Sequence, residues 1–231
     1  MASFSGISRF KDLADKNTGE VATADIAESA ITSEKISDVI FQTDFIGETL
    51  PDELTSVIVG GGSASFSSAA CVHHYILTSG TLQGELGRVR TASTYGQFST
   101  AHNLSFSTRF QQSNITSLAL FGFESATVNN FIFGGCHPSA SATNYMLQTD
   151  NGTGTPNNIA TAVALDTAMH KHKLVVTSTT IKYYIDDVER ASTNTLIPLT
   201  STSLYANLIA YWLADVALTQ TIDYMKIWGG R

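Results

Sequence analysis

The residues of this chain best suited to chemistry are its acids, and they cluster in two places. Glu48, Asp52 and Glu53 stand in the turn-like segment GETLPDEL, and Asp186, Asp187 and Glu189 stand around a tight hairpin in IKYYIDDVER. Cleaving a glycosidic bond takes two carboxyl groups facing one sugar, about 5 Å apart for retention and about 6.5–9.5 Å for inversion. Carboxylates in turns are solvated, which suits neither the proton donor nor its partner. No catalytic residue is therefore assigned, and the sequence predicts no enzyme. Binding a sugar asks for less: an exposed aromatic ring and a few polar groups. Tyr184, Tyr205, Asn207, Tyr211 and Trp212 are the candidates. Tyr205, Asn207 and Tyr211 fall an even number of residues apart, so a strand would put all three on one face. Trp228, Phe121, Phe131 and Phe133 are assigned to the core.

The histidines and cysteines carry less. His170 and His172 share a strand face and His73 adjoins His74, but zinc needs three or four converging ligands. Asp150-Asn151-Gly152 lacks a full calcium ligand set and reads as a turn. No metal and no cofactor is expected. The spacing of Cys71 and Cys136 fits no zinc pattern. Both lie in apolar, strand-like stretches and read as buried thiols, with a bridge between strands left open.

These residues sit on a chain that reads as β-structure. Short alternating runs such as SVIVGGG, NLSFSTRFQQ, ITSLALFGFE, NNFIFGG, NYMLQTD, HKHKLVVTST and SLYANLIAYWLA are divided by Gly, Asn, Ser or Pro clusters. Their spacing is that of sandwiches. Asp186-Asp187 between alternating runs reads as a hairpin turn, since Asp tolerates positive φ. NGTGTPNN at 151–158 is a turn-rich break. The pattern implies two packed antiparallel sheets.

Composition narrows the partners. Charged residues make up only 14% of the 231, and the net charge is −7. Acidic balance and scattered Lys and Arg argue against nucleic acid. No apolar run is long enough to span a membrane as a helix. The start, MASFSGISRFKDLADK, lacks the basic and apolar regions of a secretory signal, so synthesis in a cytoplasm is expected.

The N-terminus follows another rule. Val21, Ile26, Ile31, Ile36 and Phe41 recur every five residues, with small and polar residues between them. A helix repeats its face about every 3.6 residues and a strand about every 2. One apolar residue in five buries too little surface to offset chain ordering. Residues 1–41 are thus expected to be an assembly arm in which those five residues anchor and oligomerise, with 42–231 as the sandwich.

Two resemblances sharpen this. His172-Lys173-Leu174-Val175-Val176, then Ile181-Lys182-Tyr183-Tyr184-Ile185-Asp186-Asp187, then Ile222-Asp223-Tyr224-Met225-Lys226-Ile227-Trp228 resemble the closing strands of the concanavalin A-like lectin/glucanase (LamG-like) fold. Phe45 to Pro51 is similar to its opening strand. The resemblance implies an all-β jelly-roll sandwich. The glucanases of that superfamily carry E-x-D-x-x-E or E-x-D-x-E on one strand, and this chain has neither. ADIAESAITSEKISD is similar to segments of phage and viral fibre proteins that interleave in trimers. Together the two imply a virion surface protein of a bacteriophage, made in the host cytoplasm: a capsid decoration or a head or tail fibre. Its expected partners are itself as a homotrimer, viral capsid or tail proteins, and glycans of the host surface. The alternative is a carbohydrate-binding module or a divergent glycoside hydrolase of the same superfamily.

Overall fold

The computed structural model describes residues 38–45, 49–67, 74–93, 98–126, 129–213 and 216–229. Residues 38–231 form one compact unit. Val21, Ile26, Ile31 and Ile36 of the arm, with Glu48, Cys71 and His73, lie outside the described residues.

Two antiparallel sheets make up the unit. The first has eight strands. In spatial order they are β13 (Val188–Thr193), β12 (Ile181–Ile185), β11 (His170–Val176), β6 (Leu104–Gln112), β15 (Thr219–Gly229), β4 (Tyr75–Thr78) and β3 (Ser63–Phe66). The eighth, β1 (Asp38–Thr43), pairs with β15 off this path. The second sheet has seven: β10 (Asn157–Ala164), β9 (Asn144–Asn151), β8 (Asn130–Cys136), β7 (Leu118–Ser125), β14 (Leu204–Tyr211), β5 (Leu86–Thr91) and β2 (Leu54–Val59). The all-β sandwich expected from the sequence is present, and among the described residues no helix is long and apolar enough to cross a membrane.

The core between the sheets is aromatic. Phe106 and Phe121 meet edge to face at 5.4 Å, and Phe110 stacks on His172 at 4.2 Å. His172 is fully buried, its Nδ1 lying 2.8 Å from the Tyr183 hydroxyl. Burial, then repulsion from His170, pushes its pKa down to about 3. His172 is a neutral packing residue. Cys136 is a buried free thiol that burial pushes up to about 12.

The strand patterns explain why the two sheets differ. In β12 the burial alternates strictly, so Ile181, Tyr183 and Ile185 face the core while Lys182 and Tyr184 face out. In β7 and β14 six or seven successive residues are buried. A strand buried on both faces reads as a continuous apolar run, and on the outer face of the seven-stranded sheet Leu118, Leu120, Phe133 and Ile209 bury one another.

Several sequence expectations change here. Phe41 is in β1, paired with Ile227 and 9% exposed, so it belongs to the sandwich core and not to the arm. Trp228 is on the outer face of the eight-stranded sheet, and Phe131 and Phe133 are on the outer face of the seven-stranded one; only Phe121 is between the sheets. The segment after the 151–154 turn is strand β10, pairing with β9 through Asn157–Ala164. Its small residues had hidden the alternation. The Asp186-Asp187 hairpin is as expected, with φ of 50° and 64°.

Candidate functional site

Pairing register decides which side chains share the outer face of the seven-stranded sheet. Glu124 on β7 stands opposite Tyr205 on β14 and Phe131 on β8. Leu120 stands opposite Ile209, which stands opposite Arg88 on β5. Phe133 stands opposite Gln148 on β9. Directly opposed residues point to the same side. This face therefore carries Arg88, Leu118, Leu120, Glu124, Phe131, Phe133, Gln148, Ile209 and Tyr211.

Its centre is apolar. Leu118, Leu120, Phe133 and Ile209 form a cluster separate from the core, with Phe131, Tyr211 and Leu213 against it. Gly122 lies in the middle of β7 at φ +152°, where a Cβ would stand 1.9 Å from the Ile132 carbonyl oxygen. With no side chain there, the floor stays low between Leu120 and Glu124. A groove of about 350 Å³ results, with polar residues Arg88, Glu124, Asn129, His137 and Gln148 around the apolar floor.

The rim is built but incompletely satisfied. Arg88 Nη1 donates to Glu124 Oε2 at 2.9 Å. Gln148 Nε2 donates to Asn158 Oδ1 at 2.8 Å. Arg88 Nε, His137 Nδ1 and, beneath the face, Asn207 Oδ1 are buried without a hydrogen-bond partner. Burial holds the His137 pKa below the ordinary imidazole value, so the ring is neutral near pH 7. Buried polar atoms are almost always paired, so the unpaired Arg88 Nε and His137 Nδ1 on the rim mark a place where a polar ligand gains most.

Asp150 is the other carboxylate of this face, opposite Phe131. It is 1% exposed, and its Oδ1 accepts from Gly152 N at 2.9 Å, Thr153 N at 2.9 Å and Thr153 Oγ1 at 3.1 Å. It ties down the β9–β10 turn. Glu124 and Asp150 stand two strands apart, about 10 Å by the usual inter-strand spacing.

The sugar-contact candidates divide. Tyr205, Asn207 and Tyr211 share this face as expected, but only Tyr211 lines the groove. Tyr205 is 8% exposed with Arg90 5.5 Å from its ring centroid. Asn207 is 1% exposed and its Nδ2 donates to the Tyr205 carbonyl at 2.8 Å, so it is no surface contact. Trp212 lies one residue past β14, with its amide donating to Glu85 O and its indole N–H buried. Tyr184 is on the other sheet, its hydroxyl 3.3 Å from Glu189 Oε2. The sequence reading missed Arg88, Glu124, His137 and Gln148. The period-two spacing of Leu118, Leu120, Gly122 and Glu124 held the signal, but apolar residues on both faces masked it.

No protein-family model matches the chain, and no curated protein matches it in sequence. Solved structures share its fold. One comes from work on the endo-acting O-glycanases of prominent human gut microbiota, with a TM-score of 0.59 at 12% identity over 83% of this chain and 99% of that one. A family 16 glycoside hydrolase of Bacteroides ovatus in complex with a product scores 0.57 at 13% identity over 82% and 100%. The carbohydrate recognition domain of Emp47p scores 0.59 at 13% identity over 83% and 96%. The expectation that the chain is no enzyme does not stand, because glycoside hydrolases are among the proteins that share its architecture. That expectation had relied on the missing glucanase motif and on acids in turns, and it overlooked Glu124 on the groove. What the likenesses establish is the fold: the chain is a concanavalin A-like jelly-roll sandwich.

Proposed function

We propose that the protein recognises carbohydrate in the groove on the outer face of the seven-stranded sheet. The observation that carries this is the groove itself: an apolar floor with buried, unpartnered polar atoms at its edge. The C–H faces of a sugar ring pack on Phe131, Phe133 and Tyr211, while its hydroxyls reach Arg88, Glu124, His137 and Gln148. The fold's known neighbours include glycan-acting and glycan-binding proteins, which supports the reading. A glycan array probed with the intact chain and with Tyr211→Ala tests it. Binding that the substitution abolishes supports the proposal; an array without signal overturns it.

A hydrolytic reading has one specific support, the carboxylate of Glu124 on the groove. Ion-paired with Arg88, it would face the anomeric carbon as nucleophile or as base toward a water, while a second carboxyl group would have to protonate the leaving oxygen. Release of reducing ends from a bound polysaccharide, lost in Glu124→Gln, would establish hydrolysis.

The arm extends the proposal. Its five-residue beat and its similarity to fibre segments support a virion protein, trimeric through residues 1–37, that presents the sandwich to glycans of the host. Finding the protein in purified particles would support this, and its absence from them would oppose it.

A further inference from the structure

The outer face of the eight-stranded sheet carries a second hollow, on the side of the sandwich away from the groove. One cross-strand row runs from Gln42 on β1 through Lys226, Ser107 and Lys173 to Tyr184 on β12. The row beside it places Trp228 next to Ser105, then Val175 and Lys182. Ser105 and Ser107 are short and lie beneath their long neighbours. A space of about 340 Å³ opens there, walled by Gln42, Lys171, Tyr224, Lys226 and Trp228 over Ser107, with Lys173 outside its lining but near Trp228. That is within the range of small-ligand sites.

Charge is concentrated on this face. Arg109, Lys171, Lys173, Lys182 and Lys226 are five of the 13 basic residues of a chain whose net charge is −7. Three have partners: Arg109 with Asp223 at 3.2 Å, Lys171 with Asp187 at 2.6 Å, and Lys182 with Glu189 at 2.9 Å. Among the described residues, Lys173 and Lys226 have no carboxylate partner. Their ammonium groups each lie 5.5 Å from the centroid of the Trp228 ring, and Lys173 lies equally far from that of Tyr184. Asp44 is the one acid lining the hollow, and it is in the exposed segment after β1.

We infer that this hollow binds a carboxylate-bearing sugar residue of an acidic polysaccharide. Two ammonium groups without counter-charges bracket one indole. A pyranose ring in the hollow would lie against the edge of Trp228 with its carboxylate on Lys226 Nζ and within the field of Lys173 Nζ, beside the Ser107 and Tyr224 hydroxyls, which hydrogen-bond each other at 3.1 Å. A neutral sugar would leave both charges uncompensated, and an anion without a ring would leave the indole uncovered. This site is independent of the groove proposed above.

The test is an isothermal calorimetric titration of the intact chain with an oligogalacturonate, a neutral oligosaccharide of equal length and an inorganic polyphosphate. The oligogalacturonate is expected to bind in the millimolar range or better and to weaken with salt. The paired substitution Lys173→Gln and Lys226→Gln should weaken it about tenfold or more, and Trp228→Leu should do likewise. Tyr211→Ala, on the opposite face, should leave it unchanged. Because all three altered side chains are solvent-facing, an unaltered melting temperature is expected alongside. Failure of the oligogalacturonate to bind overturns the inference. So does equal affinity for the neutral oligosaccharide, or for polyphosphate in a manner indifferent to Trp228→Leu.

Discussion

Arg88 and Glu124 join hands over strand β14: Arg88 extends from β5, Glu124 from β7, and Nη1 meets Oε2 at 2.9 Å. The side chains are only 20% and 30% exposed, so the pair is a wall of the groove and not a surface ornament. Glu124→Gln keeps the shape and removes the charge. Partly exposed pairs contribute about 0–1 kcal/mol, so the melting temperature should move by no more than a few degrees. Glycan affinity should fall about tenfold, as measured by calorimetry on a glycan found by array. Unchanged affinity would remove Glu124 from the site.

A second prediction concerns pH. His170 Nδ1 lies 2.6 Å from Asp186 Oδ2, and Nε2 lies 3.0 Å from Asp166 Oδ1, tying the β10–β11 connection to the β12–β13 hairpin. Burial opposes the charged imidazole, but hydrogen bonds to Asp186 and Asp166 outweigh it and raise the His170 pKa. Burial likewise opposes both carboxylates. For Asp166, the bonds from the Ala168 amide and His170 outweigh it, and for Asp186 those from His170 and the Lys171 amide, so both pKa values fall. A raised folded-state pKa gives stability that is full below the unfolded value and lost as pH rises through the folded one. A lowered carboxylate pKa gives stability lost as pH falls through the folded value. His172, held neutral by burial, adds to the acid-side loss. Because the His172 loss begins as pH falls through the ordinary imidazole value and the His170 gain is complete there, melting temperature against pH should peak close to the ordinary imidazole range. In His170→Asn the decline above the imidazole range should flatten; an unchanged alkaline limb would contradict the bridge.

Gly122 and Gly135 admit no side chain. A Cβ on Gly122 would stand 1.9 Å from the Ile132 carbonyl oxygen, and one on Gly135, at φ +135°, 2.2 Å from that of Ala119. Both clashes are with backbone in paired strands, so relief requires separating β7 from β8. Gly122→Ala and Gly135→Ala should each cost more than about 2 kcal/mol, read by denaturant titration. A loss below that would mean the strands part easily.

The start of the sandwich can be located by truncation. A chain beginning at Asp38 should fold like the whole. One beginning at Asp44 lacks β1 and the buried Phe41, a side chain whose removal alone costs about 3–5 kcal/mol, and should melt well below it. If the arm is the oligomerising element, the whole chain should sediment as a trimer and the Asp38 chain as a monomer. A trimer from the Asp38 chain would place assembly in the sandwich instead.

The alternating strands were legible because solvent lies on one side of them. HKHKLVV and IKYYI each write their buried face into every second residue, and Asp186-Asp187 writes the turn. The groove was not legible, for the same physical reason. Where both faces of β7, β8 and β14 are apolar, the sequence shows a run without a period, and Phe131, Phe133 and Ile209 look like core. Arg88 and Glu124 are 36 residues apart in sequence, and only the β5–β14–β7 order brings them together. Trp228 misled for another reason. A large aromatic on an alternating strand suggests burial, yet here it spreads on the surface beneath two lysine side chains.

The most direct test of the central claim is binding of the intact chain to a glycan array, repeated with Tyr211→Ala and with Glu124→Gln. Carbohydrate recognition in the groove predicts a defined set of bound glycans, lost with Tyr211→Ala and weakened with Glu124→Gln, while the fold stays intact by circular dichroism. A set of bound glycans that neither substitution alters would contradict the groove as the site, and an array with no bound glycan would contradict carbohydrate recognition there altogether.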